Sequence, residues 1–128
     1  MKNTIEKHKS FFSIFACVFL IFIGCFAFPF YNFTPNAPNI SRLSNILVSL
    51  LAYYEIGVLQ SMLFEATSWR KCSAVVLLMT IIGLLCRYLL EFGEVSNTYN
   101  FTLPNVLLHL FAAVCVSGFA FSTIYENQ

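Results

Sequence analysis

The chain has 128 residues, of which 59% are hydrophobic and only 10% are charged, with a formal net charge of +1 and a mean hydropathy of +0.77. Soluble domains carry about 25% charged residues, so this composition excludes an ordinary water-soluble domain and predicts an integral membrane protein in the lipid bilayer. It also predicts no nucleic-acid binding, because that function needs a basic face outside the membrane.

The first predicted helix covers about residues 10–29 and follows a basic cap, residues 1–10. We interpret it as a membrane helix that stays attached, because the apolar core of a signal peptide is typically only about 7 to 15 residues long. One face of this helix carries mostly small residues, among them Gly24. Such a face predicts that another helix approaches closely.

The second and third predicted helices cover about residues 41–65 and 71–93, and the short polar segment 66–71 joins them. Because so few residues connect them, we expect these two helices to be antiparallel neighbours. The third helix carries a stripe that includes Thr80, Gly83 and Arg87 on one face.

The fourth predicted helix covers about residues 103–125, with Thr102 as its cap and Pro104 in its first turn. Four helices of this length each cross a hydrocarbon core of about 30 Å. The sequence shows no internal repeat and no second domain. We therefore predict an all-α fold, a four-helix transmembrane bundle that forms a single domain over residues 1–128.

Basic residues set the predicted orientation of the bundle. Lysines lie in the N-terminal cap, and Arg70 and Lys71 lie in the second loop, whereas the first loop has only Arg42 and the third has no Lys or Arg. The positive-inside rule then places both termini in the cytoplasm. The Lys, Asn, Ile, Phe and Tyr richness suggests an AT-rich gene, and we place the protein in a bacterial inner membrane.

Polar side chains in the predicted helices form a candidate ligand or proton site. At about 1.5 Å per residue, Glu55 lies near the bilayer midplane, and Arg87 and His109 share a shallower outer layer. We expect these groups to define at most one outward-facing pocket with Glu55 as its floor. The full candidate set is Glu55, Gln60, Arg87, Glu91 and His109.

Four members of this set also have a structural interpretation. Arg87 is shallow enough to pair with Glu91 and reach the outer interface, and we favour that pairing. We also favour His109 as a hydrogen-bonded residue between helices. For Glu55 two readings stay open: a carboxylate that binds and releases a proton or cation, or a protonated acid bonded to a group such as Thr80.

No motif indicates a metal, cofactor or catalytic site. The five cysteines are spaced singly, which argues against disulfides and zinc, and we expect small thiols at helix contacts. His109 has no second strong ligand at its depth, because the only other histidine is His8 on the cytoplasmic side. Ser49 and Ser117 lack the flanking motif of a nucleophile. We expect a protein that is not an enzyme and holds no cofactor.

Two classes of function remain. In the first, the protein is an immunity, regulatory or accessory subunit that acts through helix contacts with another membrane protein or a copy of itself. Inner-membrane immunity proteins against pore-forming bacteriocins share the four-span plan with both ends inside, a likeness of architecture alone. In the second, it is a small proton- or ion-coupled transporter or channel subunit that uses Glu55 with Arg87 or His109.

Overall fold

In the computed structural model, the chain is described over residues 2–28, 39–63, 69–94, 98 and 101–126. A short helix precedes four long ones, and the long helices are long and apolar enough to cross a membrane. The predicted all-α class with four long apolar helices is confirmed, although the predicted ends at residues 29 and 65 lie outside the described part. The helices are α1 (Lys2–Lys7), α2 (Lys9–Ala27), α3 (Asn39–Leu63), α4 (Trp69–Leu90) and α5 (Leu103–Glu126).

The N-terminal cap folds into α1, which the sequence pattern did not indicate. The backbone turns at His8, with φ −116° and ψ 36°, so α1 leaves the axis of α2. It then packs on α3 and buries Ile5, which is 4% exposed. A single apolar residue among polar ones has no helical periodicity, so only the tertiary contact with α3 reveals this helix.

The long helices alternate in direction and pair out of sequence order. α2 packs chiefly on α4, and α3 chiefly on α5, while the α2–α3 and α4–α5 contacts are looser. α3 and α4 are therefore diagonally opposite, and the prediction that they are neighbours is wrong. We call the end of the bundle with Lys9 and Trp69 the amino end, and the end with Ala27 and Leu103 the far end.

Glycines explain why α2 pairs with α4. The two backbones cross at Gly24 and Gly83, where a Cβ added to Gly83 would overlap the Ile21 carbonyl oxygen and lie 2.9 Å from the Gly24 Cα. A Cβ added to Gly24 would lie 2.9 Å from the Thr80 carbonyl oxygen. Only glycine on both helices permits this approach, as the small-residue face of α2 predicted.

A second close crossing joins α3 to α5. A Cβ added to Gly57 would overlap the Ser117 carbonyl oxygen and lie 2.7 Å from the Ala120 Cβ. Gly118, one residue away on α5, has no atom within 4 Å of the position that its Cβ would take. The bundle thus consists of two tightly packed helix pairs, and its core forms where those pairs meet.

The core and the surface of the bundle are both apolar. Leu20, Tyr53 and Val76 are fully buried at the centre. Large apolar side chains also cover the outside of every long helix, and Leu51 and Leu78, for example, are 59% and 55% exposed. An outer surface of this kind is typical of a bundle that faces lipid or other apolar helices rather than water.

Candidate functional site

A buried Tyr–His pair joins α3 to α5 in the core. The Tyr53 hydroxyl and His109 Nε2 share a hydrogen bond of 2.7 Å, and both side chains are 0% exposed. The His109 tautomer decides which of the two atoms donates the proton. The predicted role of His109 as a hydrogen-bonded residue between helices is therefore confirmed.

Aromatic rings close the core over this pair at the far end. Phe28 follows the last residue of α2, is 1% exposed and places its ring 5.6 Å from the His109 ring at 77°. On its other side, the Phe28 ring lies 4.6 Å from the Phe101 ring. Phe101 in turn meets Tyr88 edge-on at 5.2 Å. The aromatic layer therefore covers His109 on the side of the far end.

Thr80 of α4 reaches the same part of the core. Its side chain lies beside the Tyr53 hydroxyl, and its Oγ1 is buried without a well-formed hydrogen bond to the described residues. Tyr53 belongs to one helix pair and Thr80 to the other. A polar contact therefore lies where the two helix pairs meet. Thr80, which the sequence offered as a hydrogen-bond partner for Glu55, lies beside Tyr53 instead.

Arg87 connects α4 to the end of α2. Its guanidinium Nη2 forms an ion pair with Glu91 Oε1 at 2.6 Å, and Nη1 donates to the Cys25 carbonyl oxygen at 3.2 Å. Because α2 ends at Ala27, this carbonyl has no partner within its own helix. A cation at a helix C-terminus also interacts favourably with the helix dipole. The predicted Arg87–Glu91 pair is confirmed, with an added structural task that the sequence did not reveal.

We expect Arg87→Gln to destabilise the bundle by about 1–3 kcal/mol, because it removes both the ion pair and the bond to the end of α2. Arg70→Gln is the matched control, since Arg70 is exposed at the amino end and its loss should cost less than about 0.5 kcal/mol. SDS-induced unfolding of the purified protein in mixed micelles measures both changes. Equal unfolding midpoints for the two variants would contradict this role of Arg87.

Gln60 lies far along α3 from Tyr53, near the amino end. It is 2% exposed, and its Nε2 donates to the Cys72 carbonyl oxygen across the core at 3.4 Å, a long and weak hydrogen bond. It lines a groove of about 240 Å³ between α4 and α5 that also includes Trp69 and Ser117. Gln60 therefore belongs to neither the His109 pair nor the Arg87 pair.

Glu55 points away from all of these groups. Glu55 is exposed, whereas Tyr53 is fully buried. The two residues are two positions apart, and that spacing turns their side chains about 200° from each other around the helix axis. Glu55 lines an outer groove of about 410 Å³ between α1, the start of α2 and the amino-end half of α3. Within the described part of the chain, no side chain forms an ion pair or hydrogen bond with Glu55.

The structure thus separates the predicted site residues into four places. Our expectation of one pocket with Glu55 as its floor, below Arg87 and His109, is wrong, because Glu55 and His109 lie on opposite sides of α3. The thiols are also divided: Cys25 and Cys72 are buried at helix contacts, whereas Cys86 and Cys115 are exposed. Among the described residues, no three His, Cys, Asp or Glu side chains come close enough to hold a metal ion.

Sequence reasoning missed the partner of His109. Tyr53 follows Ser49 by one helical turn and precedes Ile56 by three residues, so it continues the buried face of α3. That spacing is the signal that identifies it.

No model of a known protein family matches this chain, and neither does any curated protein or solved structure.

Proposed function

We propose that this protein is a multi-pass inner-membrane protein of a bacterium, acting as an immunity, regulatory or accessory subunit through helix contacts within the membrane. The single observation that carries the proposal is the position of Glu55. A carboxylate that faces lipid in the middle of a span costs about 2.5–3.5 kcal/mol on insertion scales, so such residues pair or serve a function. Glu55 has no partner among the described residues of its own chain.

The polar groups inside the bundle also support this proposal, because they bond to one another. The His109 and Tyr53 side chains bond to each other, and Arg87 bonds to Glu91 and to the backbone of α2. These groups hold helices together. Glu55, by contrast, is exposed on the outer surface, where it is available to another molecule.

The charges at the two ends support an orientation with both termini in the cytoplasm. Lys7, Lys9, Arg70 and Lys71 are exposed at the amino end. At the far end, Arg87 is paired with Glu91. Exposed basic residues at one end favour that end for the cytoplasmic side.

A proton- or ion-coupled transporter or channel subunit is the second candidate. The observation in its favour is the buried Tyr53–His109 hydrogen bond with the Thr80 hydroxyl of the other helix pair beside it. In proteoliposomes, this function predicts an ion or proton flux that changes with pH and disappears in Tyr53→Phe. A subunit that acts by contact alone predicts no flux in either protein.

The proposed function is tested by capturing neighbours inside the native membrane. A photoreactive residue is placed at exposed positions on α3 and α4, and the adducts are identified after illumination. A protein that acts through helix contacts gives a discrete adduct with a membrane protein from one face of the bundle. Absence of adducts from every exposed position would contradict the proposal.

A further inference from the structure

We propose that the surface of α3 around Glu55 binds a transmembrane helix of a different protein, one that carries a Lys or Arg at the depth of Glu55. This inference rests on the proposed function and names the partner's chemistry. The binding surface consists of the outer groove and the exposed ridge that continues from it along α3. Its residues are Leu43, Leu47, Leu51, Glu55, Leu59 and Met62.

The spacing along this surface fits one crossing helix. Leu43, Leu47 and Leu51 are 58%, 57% and 59% exposed and lie four residues apart, so they form one ridge that leads to Glu55. Ridges of residues four apart are the elements that pack into the grooves of a second helix. Beyond Glu55 the surface becomes concave, because α1 and Phe12 form the other wall of the groove.

The groove itself is apolar, and Glu55 at its side is the one charged residue among the described residues that line it. It offers packing surface to an apolar helix and a single electrostatic contact. Glu55 lies about 18 Å along α3 from Leu43 and about 12 Å from Leu63, well away from both ends. At that depth, a cation on a partner helix lowers the cost of the carboxylate in lipid.

A second copy of this chain carries no Lys or Arg in the middle of a long helix. The basic residues of its long helices lie near helix ends, at Lys9, Arg42, Arg70, Lys71 and Arg87. Arg87 is already paired with Glu91 at the far end. A symmetric dimer through this surface brings two carboxylates towards each other instead. We therefore infer that the charge on the partner comes from another protein.

The chemistry is tested with synthetic transmembrane peptides in vesicles of phosphatidylcholine and phosphatidylglycerol. The probes are leucine-rich helices with Lys, Asn or Leu at the depth of Glu55, and energy transfer to the labelled full-length protein reports binding. We expect the Lys peptide to bind about ten-fold more tightly than the Leu peptide, the size of one interhelical polar contact. Glu55→Leu removes this preference, and Glu94→Gln, a change at the exposed far end, keeps it.

Three results would overturn the inference. These are equal binding of the Lys and Leu peptides, a Lys preference that persists in Glu55→Leu, and binding of the Asn peptide as tight as that of the Lys peptide. The inference is also wrong if the protein self-associates and Glu55→Leu weakens that association, because the partner is then a second copy of this chain. Failure here is separate from failure of the proposed function: membrane adducts from a surface away from Glu55 would leave that function standing.

Discussion

Gly83→Ala and Gly57→Ala should each destabilise the bundle by about 1–3 kcal/mol, the usual cost of added volume in a packed core. At Gly83 the new methyl group meets the Ile21 carbonyl and the Gly24 Cα, and at Gly57 it meets the Ser117 carbonyl. These neighbours are backbone atoms, so a side-chain rotation cannot relieve the overlap. The helices themselves have to separate.

Gly118→Ala provides the matched control, because the same change in α5 meets no atom within 4 Å. Alanine is the better helix former by about 0.8–1.0 kcal/mol, so this variant should be as stable as the parent or slightly more stable. The midpoint of SDS-induced unfolding in mixed micelles, followed by near-ultraviolet circular dichroism, compares the three variants. Equal midpoints for Gly83→Ala and Gly118→Ala would show that the close crossing of α2 and α4 is absent.

The hydrogen bond between Tyr53 and His109 should contribute about 0.6–1.7 kcal/mol, the range found for polar contacts between membrane helices. A double-mutant cycle with Tyr53→Phe and His109→Leu isolates this contribution from the packing of the two rings. Each single substitution should cost more than the coupling alone, because both side chains are 0% exposed and any change in shape disturbs the core.

Tyr54→Phe is the control for this cycle. Tyr54 is the next residue of α3 and lies at the edge of the core, with no hydrogen bond to the described residues. Its combination with His109→Leu should give a coupling of zero within about 0.3–0.5 kcal/mol, the usual scatter of independent sites. A coupling of the same size in both cycles would mean that the energy does not come from the bond at Tyr53.

The sequence was sufficient for features that depend on one helix at a time. Length and hydropathy located four helices. The spacing of Arg87 and Glu91, one turn apart, predicted their ion pair, and His109 was expected between helices, where it is buried. Each of these features is a periodic property of a single segment, which a sequence displays directly.

Features that depend on which helices meet could not be predicted in the same way. The short connection between α3 and α4 suggested adjacency, but the glycine crossings at Gly83 and Gly57 bring α2 to α4 and α3 to α5 instead. The bond from Arg87 to the Cys25 carbonyl depends on that pairing. No pattern within one segment contains such information.

Glu55 shows that the position of a residue along a helix does not determine the direction of its side chain. Its position near the middle of a predicted helix suggested the floor of a polar pocket. In the structure, however, Gln60 is buried and Glu55 is exposed. A mid-span carboxylate therefore indicates a function without indicating which side of the helix performs it.

The most direct test of the account compares photocrosslinking from Leu51 and Leu78 in native membranes. The two side chains are similarly exposed, at 59% and 55%, but Leu51 lies one turn from Glu55 and Leu78 lies on the diagonally opposite helix α4. We predict an adduct from Leu51 with a membrane protein whose crosslinked helix carries Lys or Arg, and its loss in Glu55→Lys. Adducts of equal yield from both positions, or an adduct at Leu51 that survives Glu55→Lys, would contradict the account.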